Sequence, residues 1–196
     1  MLSNKKPVIE KYLKPVARYL SAVDPNLLTL IGSIPPLIFF VFVMKGNFVG
    51  ALITFPFLAV DFFDGMVARL KGKVTAFGGF LDSTFDRISD FLLISSFGFG
   101  NIVRFEIVLL FVFASFLVSY TRSRGELASD NKISFDVGII ERTERLIGIF
   151  VGLVIYMIAP HFSFWGFNVI EIIFIFLFLL SVYTFLQRIL WAWKKL

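Results

Sequence analysis

The sequence predicts an all-α integral membrane protein with six transmembrane helices, preceded by an amphipathic helix at the membrane surface. Of its 196 residues, 58% are hydrophobic and 27 are Phe, whereas soluble domains are typically about 45–50% apolar. Six continuous apolar stretches follow one another along the chain. Each approaches the roughly 20 residues that a helix needs to cross a bilayer. A water-soluble fold is therefore excluded.

The six predicted spans are too long and too continuous for a membrane β-barrel, whose strands are alternating segments of about 10 residues. The spans are Leu27–Met44, Phe48–Leu70, Gly79–Phe99, Ile102–Ser123, Gly138–Ile158 and Val169–Trp191. Together they predict one six-helix domain over residues 25–196. This arrangement leaves no room for a separate soluble domain.

Residues 1–24 predict a helix that lies on the membrane. Apolar residues recur there at helical spacing with basic residues between them: Val8, Tyr12, Val16, Tyr19 and Leu20 alternate with Lys5, Lys6, Lys11, Lys14 and Arg18. Such a pattern is typical of a helix bound to an anionic membrane face. A solvated basic tail is the alternative. The segment lacks the apolar core of a secretory signal peptide.

The distribution of basic residues predicts the orientation in the cell membrane. With six spans, the leader, the second and fourth loops and the C-terminal tail share one side. Of the 19 Lys and Arg residues, all except Lys45, Arg87 and Arg104 fall on that side. By the positive-inside rule this side faces the cytoplasm. The net charge of +5 thus reflects membrane topology, and nucleic acid is not expected as a partner.

Two classes of chemistry are excluded by residue content. The chain has no Cys, so disulfides and thiol catalysis are absent. Its single histidine, His161, has no histidine partner, which argues against a histidine-based zinc site.

Five carboxylates fall in the second and third predicted spans: Asp61, Asp64, Asp82, Asp86 and Asp90. An Asp at the bilayer centre costs about 2.5–3.5 kcal/mol on insertion scales, so such residues indicate function. The first two are three residues apart and the next two are four apart, so each pair shares a helix face. A short loop joins the two helices, and we expect four carboxylates to converge near the basic face.

Carboxylate oxygens are the ligands that Mg²⁺ or Mn²⁺ prefers. Two adjacent ions would neutralise the cluster and suit a phosphoryl transfer. The alternative is a structural cluster satisfied by Arg69 and Arg87, but two arginines are few for five acids.

The segment from Asp61 to Asp86 reads DFFDGMVARLKGKVTAFGGFLDSTFD. It matches D-x2-D-G-x2-A-R-x8-G-x3-D-x3-D without a departure, and in this it resembles the CDP-alcohol phosphotransferases. The resemblance extends to the six-span layout and the amphipathic leader. It implies a CDP-linked lipid as donor, a homodimer and a metal-dependent reaction that releases CMP.

The same resemblance implies residue roles. Asp61, Asp64, Asp82 and Asp86 match metal ligands, and Asp86 also matches the base that deprotonates the acceptor hydroxyl. The positions that match contacts to the CDP group are Asp61, Gly65, Ala68, Arg69 and Gly78. Three further candidates for nucleotide contact are Asn26 and Thr29, which also fit a simple helix start, and Thr75 in the loop.

Arginines near the second basic loop bear on the acceptor. Arg122, Arg124, Arg142 and Arg145 suit a phosphate dianion because guanidinium forks match its oxygens. Ordinary positive-inside charge is the alternative. The segments TRSRGE from Thr121 and ERTERL from Glu141 resemble those of phosphatidylinositol phosphate and archaetidylinositol phosphate synthases, with departures at Ser123 and Gly125. This implies inositol 1-phosphate as acceptor, with Arg188 as a weaker addition and Glu141 and Glu144 orienting the arginines.

Three alternatives stay open at this point. The same reaction with glycerol 3-phosphate as acceptor is the nearest. An aspartate-rich membrane prenyltransferase and a divalent-cation transporter are more distant, because the first lacks the Gly-x-x-Ala-Arg element and the second needs polar residues across the later spans. The lipid of the donor, diacylglycerol or archaeol, is also open.

Overall fold

The computed structural model describes residues 14–60, 62–130 and 133–196. Helix α1 covers residues 14–20. The elements after it are α2 Pro25–Gly32, α3 Ile34–Met44, α4 Phe48–Thr54, the 3-10 helix η1 Phe55–Ala59, α5 Phe62–Leu70, α6 Ala76–Phe99, α7 Phe105–Ala128, α8 Arg142–Ile158, β1 Ser163–Phe164, β2 Phe167–Asn168 and α9 Val169–Lys195. The chain forms two compact units that meet in sequence at Ser96 and Phe97.

In the first unit, the leader is packed through one small residue. Ala17 is fully buried in a cluster with Leu28, Met66 and Val67, so α1 lies against α2 and α5. Tyr19 on the same helix is exposed. Residues 14–20 are thus helical. The position of this helix at the membrane surface stays a prediction, and the earlier part of the leader lies outside the described residues.

Prolines divide the first two predicted spans into shorter helices. Helix α2 gives way to α3 at Ser33, directly before Ile34, Pro35 and Pro36. The span predicted over residues 48–70 contains η1, whose first turn includes Pro56. Proline has no backbone N–H and is tolerated only in the first turn of a helix. Each proline therefore marks a new helix start.

In the second unit, α9 packs against both α7 and α8. Phe174 lies at the centre of this packing, with its ring edge-on to Phe97 at 5.0 Å and to Phe111 at 5.2 Å between centroids. All three rings are fully buried. Edge-to-face pairs at this spacing are favourable beyond the area that they bury.

An ion pair joins the beginnings of α7 and α9. Oε1 of the buried Glu171 accepts from the backbone N–H of Arg104 at 3.0 Å and from its Nε at 2.9 Å. Asn168 and Glu171 form a capping box at the start of α9, and Asn168 Nδ2 donates to the Ile102 carbonyl at 2.7 Å. The hydrogen bond with Glu171 raises the pKa of Arg104. Helix α7 therefore begins at Phe105 rather than at the predicted Ile102.

Helix α8 begins at Arg142 rather than at the predicted Gly138, because the preceding segment is bound to α9 in extended form. The hydroxyl of Thr184 accepts from the backbone N–H groups of Ile139 and Ile140, both at 3.1 Å. Gly138 has φ +131°, and a Cβ there would overlap the Thr184 side chain. Only glycine fits this position.

A second glycine, Gly125, lets the same segment pack closely against α7. Phe135 is buried, and its ring lies where a side chain at Gly125 would be. The absence of a Cβ at Gly125 thus makes the space for the ring. The packing of residues 133–141 depends on this pair.

Four helical runs among the described residues are long and apolar enough to cross a membrane: Pro25–Met44, Phe48–Leu70, Phe105–Ala128 and Val169–Lys195. The other two predicted spans, Gly79–Phe99 and Gly138–Ile158, are not among these runs, and each has an identifiable reason. Helix α6 carries Asp82, Asp86, Arg87 and Asp90 in its first 15 residues. Helix α8 has 17 residues, about 26 Å at 1.5 Å per residue. The all-helical membrane architecture agrees with expectation, apart from the two-residue strands, and the count of six spans stays a prediction.

Replacing Gly125 by Ala tests whether the Phe135 ring needs the space beside this glycine. We expect Gly125→Ala to lower the free energy of unfolding by about 1–3 kcal/mol, since overpacking outweighs the better helix propensity of Ala. The measurement is denaturant unfolding in mixed micelles. In Gly125→Ala/Phe135→Ala the two effects should couple by at least about 0.5 kcal/mol. Gly79→Ala, where a Cβ meets open space, serves as control. A stable Gly125→Ala protein with additive effects would contradict the assignment.

Candidate active site

A small polar pocket lies between α2 and α6 in the first unit. It encloses about 10 Å³ of space and is lined by Thr29, Gly32, Ser33, Asp82, Phe85, Asp86 and Ser89. That volume is about what one water-sized occupant needs. Two of the predicted carboxylates, Asp82 and Asp86, therefore face the same pocket.

Asp64 is buried beside this pocket and is held by two donors. Its Oδ2 accepts from the Thr29 hydroxyl at 2.5 Å, and its Oδ1 accepts from the backbone N–H of Gly65. The hydroxyl also lies 3.2 Å from the Pro25 carbonyl. It has a single proton, which goes to the nearer oxygen, that of Asp64. Thr29 thus orients Asp64 and borders the pocket of Asp82 and Asp86.

Asp82 and Asp86 are one turn apart on α6, and the predicted shared face is confirmed. Asp86 lies 3.6 Å from Nη1 of Arg87, which also donates to the Ser83 carbonyl at 2.9 Å. Asp90 follows one turn later and is buried. The carboxylates of α6 are therefore partly shielded from solvent.

The residues near Thr29 fit a small, hard cation. Carboxylate and hydroxyl oxygens surround a space of water size, and such donors suit Mg²⁺ or Mn²⁺. Within the described ranges, no three His, Asp or Glu side chains form a group that could hold an ion alone. Asp61, the fourth predicted ligand, lies outside those ranges. The four-carboxylate cluster therefore stays a prediction.

Three of the predicted nucleotide contacts meet at the start of α6. The Thr75 hydroxyl accepts from the backbone N–H of Gly78 at 3.0 Å. A Cβ at Gly78 would lie 3.1 Å from Thr75 Oγ1 and 3.3 Å from Asn26 Oδ1. The backbone at Gly78 is thus close to both polar groups, and Thr75 also caps the first turn of the helix.

On α5, Gly65 and Arg69 are one turn apart. A Cβ at Gly65 would lie 3.3 Å from Nη1 of Arg69, whose side chain is exposed. Ala68 is half-buried beside them. The small residues leave the guanidinium accessible. Ser33 and Ser89, which also line the carboxylate pocket, were missed in the sequence because single serines in apolar helices form no motif.

The predicted acceptor arginines lie in the second unit, and one of them, Arg122, contacts Glu141. Arg122 contacts Asp136 at 2.5 Å, Glu126 at 3.1 Å and Glu141 at 3.5 Å. Nη2 of Arg188 lies 3.3 Å from the same Glu141 oxygen. Two arginines from different helices therefore share one carboxylate, as the orienting role predicted for Glu141 requires.

Arg188 is 2% exposed and ties three segments together. Besides Glu141, its Nε donates to the Val137 carbonyl at 2.8 Å and its Nη1 to that of Val118. Its donors point at the protein, so the structure gives it a role in holding the loop.

The other predicted arginines are placed differently. Arg145 is buried in the first turn of α8, and Arg142 begins that helix. Arg122 and Arg145 both lie within electrostatic range of Arg188. Arg124 is exposed two residues after Arg122, on the opposite side of α7. It makes no hydrogen bond or ion pair with the described residues, so the structure does not bring it to Glu141.

Comparison with known proteins assigns the family. A family model of CDP-alcohol phosphatidyltransferases matches residues 22–193. Archaetidylinositol phosphate synthase of Pyrococcus horikoshii is 35% identical over 100% of this chain and 98% of its own length. The enzyme of that name from Methanothermobacter thermautotrophicus is also 35% identical, over 100% and 96%. Phosphatidylinositol phosphate synthase of Corynebacterium glutamicum is 32% identical, over 99% and 89%.

Solved structures of similar proteins agree. Phosphatidylinositol phosphate synthase of Mycobacterium tuberculosis with CDP-DAG bound has a TM-score of 0.77 and 26% identity, covering 92% of both chains. The same enzyme with manganese and citrate has a TM-score of 0.75, also at 26% identity, over 92% of this chain and 88% of that one. With the family model covering nearly the whole chain, this helical membrane protein belongs to the CDP-alcohol phosphatidyltransferase family.

Proposed function

We propose that this protein transfers the lipid phosphate group of a CDP-linked lipid to inositol 1-phosphate and releases CMP. The observation that carries the proposal is the uninterrupted motif from Asp61 to Asp86 in a chain that matches inositol phosphate lipid synthases over its full length. The donor is CDP-diacylglycerol or CDP-archaeol. The names of the relatives include both lipid types, so both belong to the proposal.

The reaction is a displacement at the lipid-side phosphorus. The acceptor oxygen forms a bond to this phosphorus. The bond between the same phosphorus and the bridging oxygen of CMP breaks. Asp86 accepts the proton of the acceptor hydroxyl, since it lines the pocket and is partly shielded from water. The electron pair of the broken bond leaves with CMP.

Asp61, Asp64, Asp82 and Asp86 would hold two Mg²⁺ or Mn²⁺ ions. When bound, the ions offset the negative charge that develops during phosphoryl transfer. The chain itself prepares the ligands: Thr29 fixes Asp64, and α6 presents Asp82 and Asp86 on one face. Ordered ligands of this kind bind a cation with less loss of side-chain freedom.

The donor nucleotide lies along the segment that joins α5 to α6. Gly65, Ala68 and Gly78 allow close approach of the backbone, and Arg69 offers an exposed fork for phosphate oxygens. Asn26 and Thr75 supply polar groups beside Gly78. Asp61 completes the predicted set.

The acceptor phosphate is bound by arginines of α7 and α8. Arg122, Arg142 and Arg145 are the proposed contacts, and the carboxylates around Arg122 hold it in place. A phosphate dianion competes with these carboxylates for the guanidinium. An acceptor must therefore carry negative charge to displace the acidic partners, which favours a phosphorylated alcohol over a neutral one.

The proposed setting is the cell membrane. Six spans follow from the apolar runs, an interfacial leader from its amphipathic pattern, and a site that faces the cytoplasm from the distribution of basic residues. A homodimer is the proposed assembly.

Direct assay tests the function. Purified protein with Mn²⁺ and a CDP-linked lipid should release CMP when inositol 1-phosphate is added. Glycerol 3-phosphate, serine and free inositol are the comparison acceptors. Equal or faster release with glycerol 3-phosphate would overturn the choice of acceptor. No CMP release with any acceptor or either lipid donor would overturn the proposed reaction.

Asp86→Asn should remove the base and lower kcat at least about 100-fold, with unfolding unchanged within about 0.5 kcal/mol. Asp130→Asn makes the same chemical change at an exposed residue and should keep its activity. Both variants are compared by CMP release and by thermal unfolding in detergent. Near-normal turnover in folded Asp86→Asn would refute the role of this residue.

Thr29→Val should weaken Mn²⁺ binding about 10-fold to 100-fold, because Asp64 loses the donor that orients it. Thr29→Ser keeps the hydroxyl and should restore most of the affinity. Free Mn²⁺ is measured by electron paramagnetic resonance without any substrate. If the Val and Ser variants bind Mn²⁺ equally, the hydroxyl does not act through Asp64.

Arg122→Met should raise KM for inositol 1-phosphate at least about 10-fold, the effect of losing roughly 1.4 kcal/mol of binding, and leave KM for the CDP-lipid unchanged. Lys45→Met, a similar loss of charge at an exposed helix end, is the matched control. Steady-state rates with each substrate varied in turn give both constants. A rise in KM for the lipid alone would contradict the acceptor role.

A further inference from the structure

The loop between α8 and α9 is a tight hairpin with a tryptophan in its turn. Ser163 pairs with Asn168, and Phe164 pairs with Phe167, in antiparallel register. The two turn residues, Trp165 and Gly166, have φ angles of +52° and +74°. Positive φ is ordinary for glycine but rare for a bulky side chain. The fold thus holds Trp165 in an unfavourable backbone conformation.

The tip of this hairpin presents aromatic rings outward. Trp165 is 87% exposed, Phe164 is 58% exposed and Phe162 is 53% exposed. The rings of Phe164 and Trp165 are stacked, with centroids 5.5 Å apart and planes at 6°. Ile158, the last residue of α8, is a further exposed apolar side chain that precedes the hairpin in sequence. Such a display in contact with water alone is unfavourable.

The base of the hairpin is fixed to the rest of the second unit. The Arg104 guanidinium lies over the Phe167 ring at 4.0 Å, and its Nη2 donates to the Gly166 carbonyl at 3.2 Å. Asn168 caps α9 and bonds to Ile102. The contacts at the base set the direction of the strands, so the aromatic tip cannot fold back onto the helices without breaking them.

The position of the hairpin points to lipid as its partner. It leads directly into α9, which is long and apolar enough to cross a membrane. The opposite end of α9 carries the exposed Trp193 followed by Lys194 and Lys195. From Val169 to Trp193 the helix rises about 36 Å at 1.5 Å per residue. This length exceeds the roughly 30 Å hydrocarbon core and falls within its headgroup layers, where Trp residues concentrate on both sides.

We propose that residues 162–167 form a membrane-interface anchor, with Trp165 and Phe164 inserted among the lipid headgroups at the N-terminal end of α9. Arg104, half exposed beside the hairpin, faces the headgroup phosphates at the same level. The anchor depends on α9 crossing the bilayer and is independent of the proposed reaction.

Intrinsic fluorescence tests the anchor, because the chain has three Trp residues. The double variant Trp191→Phe/Trp193→Phe leaves Trp165 alone. The protein is reconstituted into phosphatidylcholine nanodiscs that contain lipid brominated either near the headgroup or near the acyl terminus. We expect blue-shifted emission, at least twofold stronger quenching by the shallow bromine than by the deep one, and weak quenching by iodide.

A matched variant separates an ordered anchor from a loose loop. Gly166→Ala in the same background strains the turn at φ +74°, and should reduce shallow quenching and increase quenching by iodide. Water-like emission with strong iodide quenching in the parent protein would overturn the proposal. So would emission that is insensitive to bromine and changes with protein dilution, since it would identify a second copy as partner. Trp165→Ser should keep CMP release in detergent, so failure of the anchor is distinguishable from failure of the function.

Discussion

Charged groups buried among apolar helices govern how this fold is held together. A buried charge is stable only with a partner of opposite charge or with hydrogen bonds. Glu171 meets Arg104, Arg188 meets Glu141 and two carbonyls, and Asp64 meets the Thr29 hydroxyl. These contacts decide where helices begin, because Arg104, Glu141 and Glu171 each lie at the start of a helix.

The same ion pairs show which charged residues stabilise the fold and which can bind a substrate. The Arg104–Glu171 pair joins two helix starts and stabilises the fold at the end of α9 where the aromatic hairpin lies. Arg188 has the charge of a phosphate ligand, yet its donors bind the backbone and Glu141. Arg122 shares Glu141 but is partly exposed. Arg188 therefore holds the loop, whereas the partly exposed Arg122 can still meet a substrate.

Small residues allow the close packing of the segment that precedes α8. Gly125 is one of the two departures from the synthase segments that this region resembles, and the Phe135 ring fills the space beside it. Gly138 gives the same freedom beside Thr184. The departure is thus a compensated change in packing, and it leaves the arginine pattern around it intact. Both contacts join residues that are 10 or more positions apart, so no local sequence pattern reveals them.

The helical membrane class, the family motif and the shared face of Asp82 and Asp86 could be predicted from the sequence, because apolar length, residue spacing and helical periodicity are local properties. The start of α7 at Phe105, the start of α8 at Arg142, the hydrogen bond of Thr29 to Asp64 and the burial of Arg188 emerge only in the folded chain. Each of these depends on a contact between residues far apart in the chain, such as Arg104 with Glu171 or Thr184 with Ile139. No local pattern encodes such a contact, because its energy arises only when packing removes both groups from water.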